Sequence, residues 1–257
     1  MKKLIIRLVI ALVVLVIIGV VAVGVFLDSA VKKGVETVGP MLTKVEVKLD
    51  SVSLSLLSGA GKIKGLLVGN PTGYKTPSAI QVGSGSLSLQ PSSIFSDKVV
   101  IKSINLQGPE ITFETDFKGN NLSALLKNVE DSSGGGAAAQ SDPKAAKKAQ
   151  RKLEVDDFLI TGAKVHVSVT ALGGKSATVT LPEIHLSGLG QGPDGITAAE
   201  LTKVVLGEVE KAAAQASATA IADLTKDASN LTKGLGTSAS GAAEKVSKGL
   251  GGLFKKN

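Results

Sequence analysis

The chain has no cysteine and no tryptophan, one tyrosine and two histidines. Without thiols there is neither a disulfide framework nor a thiolate metal site, and their absence fits an oxidising compartment. Aromatic residues make up only 3% of the chain, so the formal net charge of +7 comes without an interleaved stacking platform, which single-stranded nucleic acid would need. A negatively charged membrane surface accounts for the same charge more simply. Catalytic signatures are missing too. No Ser or Cys nucleophile motif occurs. Gly190, Gly192 and Gly195 spell a G-x-G-x-x-G, but helix and tail follow it instead of a second strand carrying an acid for ribose. Pro193 also removes an N–H donor from that loop. Gly174-Lys175-Ser176 lacks the upstream glycine of a phosphate loop, because Val169 stands there. His166 and His185 lie between apolar strand neighbours and so face away from them, and two ligands without nearby acids make a poor metal site. Asp156 and Asp157 are adjacent on a strand and diverge, so they do not form an acid/base pair. The expectation is a protein that is not an enzyme, with no cofactor, no metal and no nucleic acid.

What the chain does have begins with an unbroken apolar run. Residues 8–27 are all apolar or glycine, and about 20 such residues cross a bilayer as a helix. Lys2, Lys3 and Arg7 precede the run. Asp28, Lys32, Lys33 and Glu36 follow it with cancelling charge, so the positive-inside bias puts the N-terminus in the cytoplasm. A cleaved signal peptide would have a shorter apolar region and a small-x-small site, and Phe26-Leu27-Asp28 is a poor one. Residues 1–27 therefore read as a transmembrane signal anchor. Residues 28–43 read as a juxtamembrane helix, with Val31, Val35 and Val38 at helical spacing and Gly39-Pro40 expected to end or kink it.

From residue 44 the pattern turns to strand alternation, and a signature recurs with apolar residues at offsets 0, 2, 5 and 7. Val47, Leu49, Val52 and Leu54 fit it, as do Val99, Ile101, Ile104 and Leu106. So do Leu153, Val155, Phe158 and Ile160, and Val179, Leu181, Ile184 and Leu186. Ile80, Val82 and Leu87 follow it with Gly85 in the third slot. The three-residue step keeps one face apolar if a β-bulge absorbs the extra residue, as at Asp50-Ser51. Two copies run on at a constant offset, to Ile111 and Phe113 and to Val165 and Val167, with Gly108 and Gly162 aligned as plausible hairpin turns. About eight strands result: roughly 44–57, 61–69, 78–90, 98–107, 109–117, 152–161, 163–171 and 175–188. Asn120-Asn121 caps a short helix carrying Leu122, Leu125 and Leu126. Within 130–150, Gly, Ala and Lys collect from Ser132 on and predict a flexible linker inside the β domain, 44–190. Residues 196–257 predict a helical, basic C-terminal tail opened by a capping box, Thr197-x-x-Glu200, and closing on Val246, Leu250, Leu253 and Phe254 beside lysines.

The segments Gly65-Leu-Leu-Val-Gly-Asn-Pro-Thr-Gly-Tyr-Lys-Thr-Pro77, Val99-Val-Ile-Lys-Ser-Ile-Asn-Leu-Gln-Gly-Pro-Glu-Ile111 and Gly119-Asn-Asn-Leu122, together with the N-in helix leading into amphipathic strands, resemble the AsmA family over about residues 1–190. The Asn70-Pro71 strand end is also similar to the late-embryogenesis-abundant type of sandwich domain. The AsmA resemblance implies a mainly β fold with helices, its curved antiparallel sheet forming a groove. It implies a single-pass protein of the bacterial inner membrane, N-terminus cytoplasmic and bulk periplasmic, acting in the cell envelope and outer-membrane biogenesis. Long members of that family resemble chorein-type bridge proteins thought to carry phospholipid along a hydrophobic β-groove. Eight strands at about 4.8 Å give a groove on the order of 40 Å, too short to bridge a periplasm alone. The expected partners are the membrane, phospholipid acyl chains and other envelope proteins. The expected groove residues are Val47, Leu49, Val52, Leu54, Val99, Ile101, Ile104, Leu106, Ile111, Phe113, Val155, Phe158, Ile160, Val165, Val167, Val179, Leu181, Ile184 and Leu186. A closed β-sandwich acting as a non-enzymatic scaffold or interaction module gives the same alternation and is the alternative.

Overall fold

A computed structural model describes residues 24, 26–134 and 152–234. Most of the 8–27 run, the 135–151 stretch and the tail from 235 lie outside the described residues. Among the described residues no helix is long and apolar enough to cross a membrane. Residues 26–43 form helix α1. Nine strands follow in one sheet: β1 (Val47–Leu54), β2 (Ala60–Gly69), β3 (Ser78–Leu89), β4 (Lys98–Gln107), β5 (Glu110–Thr115), β6 (Lys152–Thr161), β7 (Lys164–Val169), β8 (Lys175–Thr180) and β9 (Ile184–Leu189). Helix α2 (Asn121–Gly134) connects β5 towards β6, and α3 (Ala198–Gly234) follows β9. The sheet curls into a half-barrel with the helices packed on it.

Four expectations about the sheet are corrected. Gly108 and Gly162 are not hairpin turns, because β4 and β5 do not pair with each other, nor do β6 and β7. Each pair is one long strand bent at its glycine, with φ of 57° at Gly108 and 64° at Gly162. Nor is the sheet wholly antiparallel. β4 pairs with β6 and β5 with β7 in parallel, from Lys98↔Lys152 through Phe113↔Val167. Partners stay 54 residues apart throughout, as in the Lys102–Asp156 contact. The internal repeat in the sequence is thus the register of this parallel pair. A parallel pair needs a long crossover, and α2 with the stretch after it supplies that connection. The expected strand 175–188 is likewise a bent pair, β8 and β9, broken around Pro182. It runs antiparallel to β7 and β6. Joined end to end, the strands stack only about six deep, so the groove runs about 25 Å in the stacking direction rather than 40 Å.

The three-residue steps fall in line across the sheet. Leu49→Val52 lies beside Leu66→Ile63, which lies beside Val82→Gly85. Gly85 meets Leu106, Leu106 meets Ile160, and Ile160 meets Ile184. The apolar face then resumes at the buried Pro109, Ala163 and Leu181. Each strand gains one residue at the same level, so the ladders continue while the pleat flips, which bends a sheet. Gly65, with φ of 62°, makes this possible on β2: a Cβ there would sit 1.9 Å from Asp50 Oδ2.

Helix α1 lies along the free edge of β1. Asp28, Lys32 and Glu36 share one helix face at i, i+4 and i+8. Leu54 N–H donates to Asp28 Oδ1 (2.7 Å) and Leu49 N–H to Glu36 Oε1 (3.2 Å). Lys32 Nζ donates to the Asp50 carbonyl (2.9 Å). An otherwise open strand edge, a site for unwanted pairing, is thereby occupied. Gly39-Pro40 does not end the helix, which runs on to residue 43. Gly39 instead permits close approach to β1, since a Cβ there would meet the Val47 side chain at 2.9 Å. Residues 130–134, expected in the linker, are helical.

Candidate functional site

Residues directly paired across a sheet project from the same face. The ladders therefore put all the expected groove residues on one face, because each is paired to, or steps along its strand from, another of the set. Ile63, Leu66, Val68, Leu87, Leu89 and Leu189 join them there. The β2 residues were missed because Gly65-Leu66-Leu67-Val68 does not alternate cleanly.

The face is covered unevenly. Helix α2 packs on β5, and α3 packs mainly on β8 and β7 and more lightly on β5 and β9. Beneath them Ile111, Phe113, Val165 and Val167 are fully buried, with Leu122, Leu125 and Val129 of α2 and Leu206, Val209, Ala213 and Ile221 of α3. This end is a closed core. It does not match an open groove at Ile111, Phe113, Val165 and Val167, because the two helices supply the missing layer. At the other end Val155, Phe158 and Ile160 of β6 are buried along the floor. Leu54, Val99, Ile101, Ile104, Leu106, Leu153, Leu186 and Leu189 around them are only half-buried. Val47, Leu49 and Val52 are buried beside α1, Leu181 and Ile184 are buried, and Val179 is half-buried.

The covered end is sealed by a polar cluster in which Asn70, Lys75, Thr76 and Asn121 come from the segments that carry the family resemblance, and Glu114 and Thr112 from β5. Glu114, only 1% exposed, alternates out of the apolar face and under the 70–77 loop. Its carboxylate accepts from Lys75 N–H (2.8 Å), Thr76 N–H (2.9 Å) and the Thr76 hydroxyl (2.7 Å). Asn121 Nδ2 donates to Asn70 Oδ1 and to the Thr112 carbonyl, both at 2.8 Å. Asn121 Oδ1 accepts from Glu114 N–H (2.9 Å). Asn70 Nδ2 donates to the Thr76 carbonyl (2.9 Å). Burial pushes the Glu114 carboxyl up, but the donors at Lys75 and Thr76 outweigh it and hold it below the usual carboxylate range. Every contact here is within the fold, so the cluster closes a loop and leaves nothing aimed at a ligand. Glu114 escaped notice in the sequence because an acid in a strand normally faces water; Asn121 was visible only as a helix cap.

The other chemistry-bearing residues are placed apart. His166 lies on the outer face, its Nδ1 3.1 Å from Thr178 Oγ1 and its Nε2 against Glu110. His185 contacts Asp157. Each histidine thus has one acid beside it, contrary to the expectation of none. They lie on different ladders, and among the described residues no three potential metal ligands come together. Asp156 pairs with Lys102 at 2.9 Å. The glycine motif is an excursion from a strand ladder: Leu153 and Ile196 exchange backbone hydrogen bonds across it (2.7 and 2.8 Å), and Lys98 Nζ holds the Gly192 carbonyl (2.7 Å). The capping box is formed, with Thr197 N–H and hydroxyl donating to Glu200 Oε2 (2.8 and 2.7 Å).

A comparison with curated proteins finds no match. The AsmA family profile matches residues 1–187, which takes in the strands from β1 to β8 and most of the half-buried end of the face. With the curved groove and the sealing cluster in place, that match settles the membership: the chain belongs to the AsmA family.

Proposed function

We propose that this is an inner-membrane-anchored, periplasmic envelope protein without enzymatic activity, whose half-covered apolar face holds phospholipid acyl chain. The observation that carries the reading is the difference between the two ends of one apolar face. Phe113 and Val167 are sealed under helices, whereas Val99, Ile101, Ile104 and Leu106 line a floor that neither α2 nor α3 covers to the same extent. Apolar side chains left partly open to water are unfavourable, and a bound acyl chain would relieve this at about 0.8 kcal/mol per buried CH₂. Because the other end is closed, the protein would shelter a chain rather than pass it through. The second reading, a scaffold with a closed core, is favoured by the packing of α2 and α3 alone.

Ile104→Asp and Phe113→Asp separate the two readings. In the lipid reading Ile104→Asp folds, because the charge can reach water, and its co-purifying phospholipid measured by mass spectrometry falls. Phe113→Asp unfolds, because an unpaired buried charge costs several kcal/mol. A folded Ile104→Asp with undiminished lipid contradicts the lipid reading. If both variants unfold, the core is closed at both ends and the scaffold reading holds.

A further inference from the structure

The three most exposed large apolar side chains of the described residues are Leu57 (84%), Phe95 (79%) and Phe26 (71%). They are far apart in sequence but collect at one end of the molecule. Leu57 sits in the β1–β2 turn. That turn touches the end of β3, where Leu89 N–H donates to the Gly59 carbonyl (2.7 Å). β3 leads through a short 3-10 turn, Pro91–Ser93, to Phe95. Gln90 N–H donates to the Val100 carbonyl (2.9 Å), which closes that loop onto the start of β4. Phe26 lies two residues before Asp28, whose carboxylate accepts from Leu54 N–H at 2.7 Å.

This is also the less covered end of the apolar face, where the side chains around the β6 floor are half-buried. Leu54, Leu89, Val99 and Leu153 mark its rim, while α2 and α3 close the other end. Helix α1 starts, at residue 26, among the last residues of the apolar run 8–27. One helical residue rises 1.5 Å, so Asp28 sits about 3 Å along the axis from Phe26. The Asp28–Leu54 bond therefore holds the strand ends level with the end of that run. A span along 8–27 brings the rim to the lipid–water boundary, and its exposed leucine and phenylalanine are side chains a bilayer accepts and water does not.

We propose that the β1–β2 turn at Leu57 and the β3–β4 loop at Phe95 dock into the surface of the anchoring bilayer, so that the less covered end of the groove opens onto the membrane itself. The partner is the lipid surface, and acyl chains would enter without crossing water. This rests on the reading of residues 8–27 as the anchor, and it does not require lipid in the groove.

The chain has no tryptophan, so a substituted one reports alone. Leu57→Trp, Phe95→Trp and, at the exposed far-end position, Ala171→Trp are made in the full chain and reconstituted into phosphatidylcholine vesicles carrying brominated acyl chains. The expected result is blue-shifted emission from the first two, quenched at least twofold by the bromolipid, with the third red-shifted and unquenched. Vesicle-bound chain with Leu57→Trp and Phe95→Trp emitting from water overturns the docking and leaves the anchor standing. Chain that does not partition into the vesicles overturns the anchor, and the docking with it. Equal quenching of Ala171→Trp overturns the assignment of this one end to the membrane.

Discussion

A carboxylate 1% exposed beside a packed core would cost several kcal/mol if it lacked partners. Glu114 is tolerable because two backbone N–H groups and a hydroxyl converge on it. Its folded pKa is depressed, so its contribution is full at neutral pH, above the unfolded carboxylate value, and is lost as pH falls through the folded one. Glu114→Gln removes the charge and leaves part of that donor set unpaired. The expected cost is about 1–3 kcal/mol, seen as a lower urea midpoint. The wild-type loss of stability towards acid should be correspondingly shallower in the variant. An unchanged midpoint with an unchanged acid limb would remove Glu114 from this role. The rest of the loop was half legible in the sequence. Asn70, Thr76 and Asn121 all lie in segments that stood out, but side-chain alternation names a face and never a partner across the fold.

At the scale of elements, the bends and the covered edge make separate predictions. Gly65 and Gly162 both hold positive φ, at 62° and 64°, a conformation that costs a non-glycine residue about 1–2 kcal/mol. Only at Gly65 does a Cβ also run into a side chain, Asp50. Gly65→Ala should therefore lower the urea midpoint more than Gly162→Ala, and equal effects would mean that Asp50 gives way freely. On the edge, Asp28→Ala with Glu36→Ala removes the acceptors for Leu54 and Leu49 N–H. Amide exchange at those two positions should accelerate roughly tenfold, the equivalent of about 1.4 kcal/mol, while β4 amides are unchanged. Unaltered exchange would show that α1 does not guard the edge. The three-residue steps were readable because each shifts the apolar phase visibly. The meaning of Gly108 and Gly162 was not, since positive φ serves a hairpin turn and a bulge equally well. A fixed offset between two apolar patterns likewise fits a repeat stacked anywhere, and only the ladder shows that the two copies lie side by side in parallel.

For the whole molecule, the apolar face was legible residue by residue from strand alternation, but its division into a closed and a half-buried end was not. That division depends on where α2 and α3 come to rest, and their apolar stripes, Leu122, Leu125 and Val129 and Leu206, Val209 and Ala213, say that they cover something without saying which half. Under the proposed function lipid occupies the half-buried half of the face alone. This occupancy is tested most directly by irradiating the full chain in vesicles containing a phospholipid with a photoreactive acyl chain, then mapping adducts by peptide mass spectrometry. Residues 8–27, the proposed anchor, serve as the internal positive control. Further adducts are expected on β4, β6 and β9, around Ile101, Ile104, Phe158 and Leu186, and none on β5 or β7 around Phe113 and Val167. Adducts confined to residues 8–27, from a folded chain, would contradict the lipid reading.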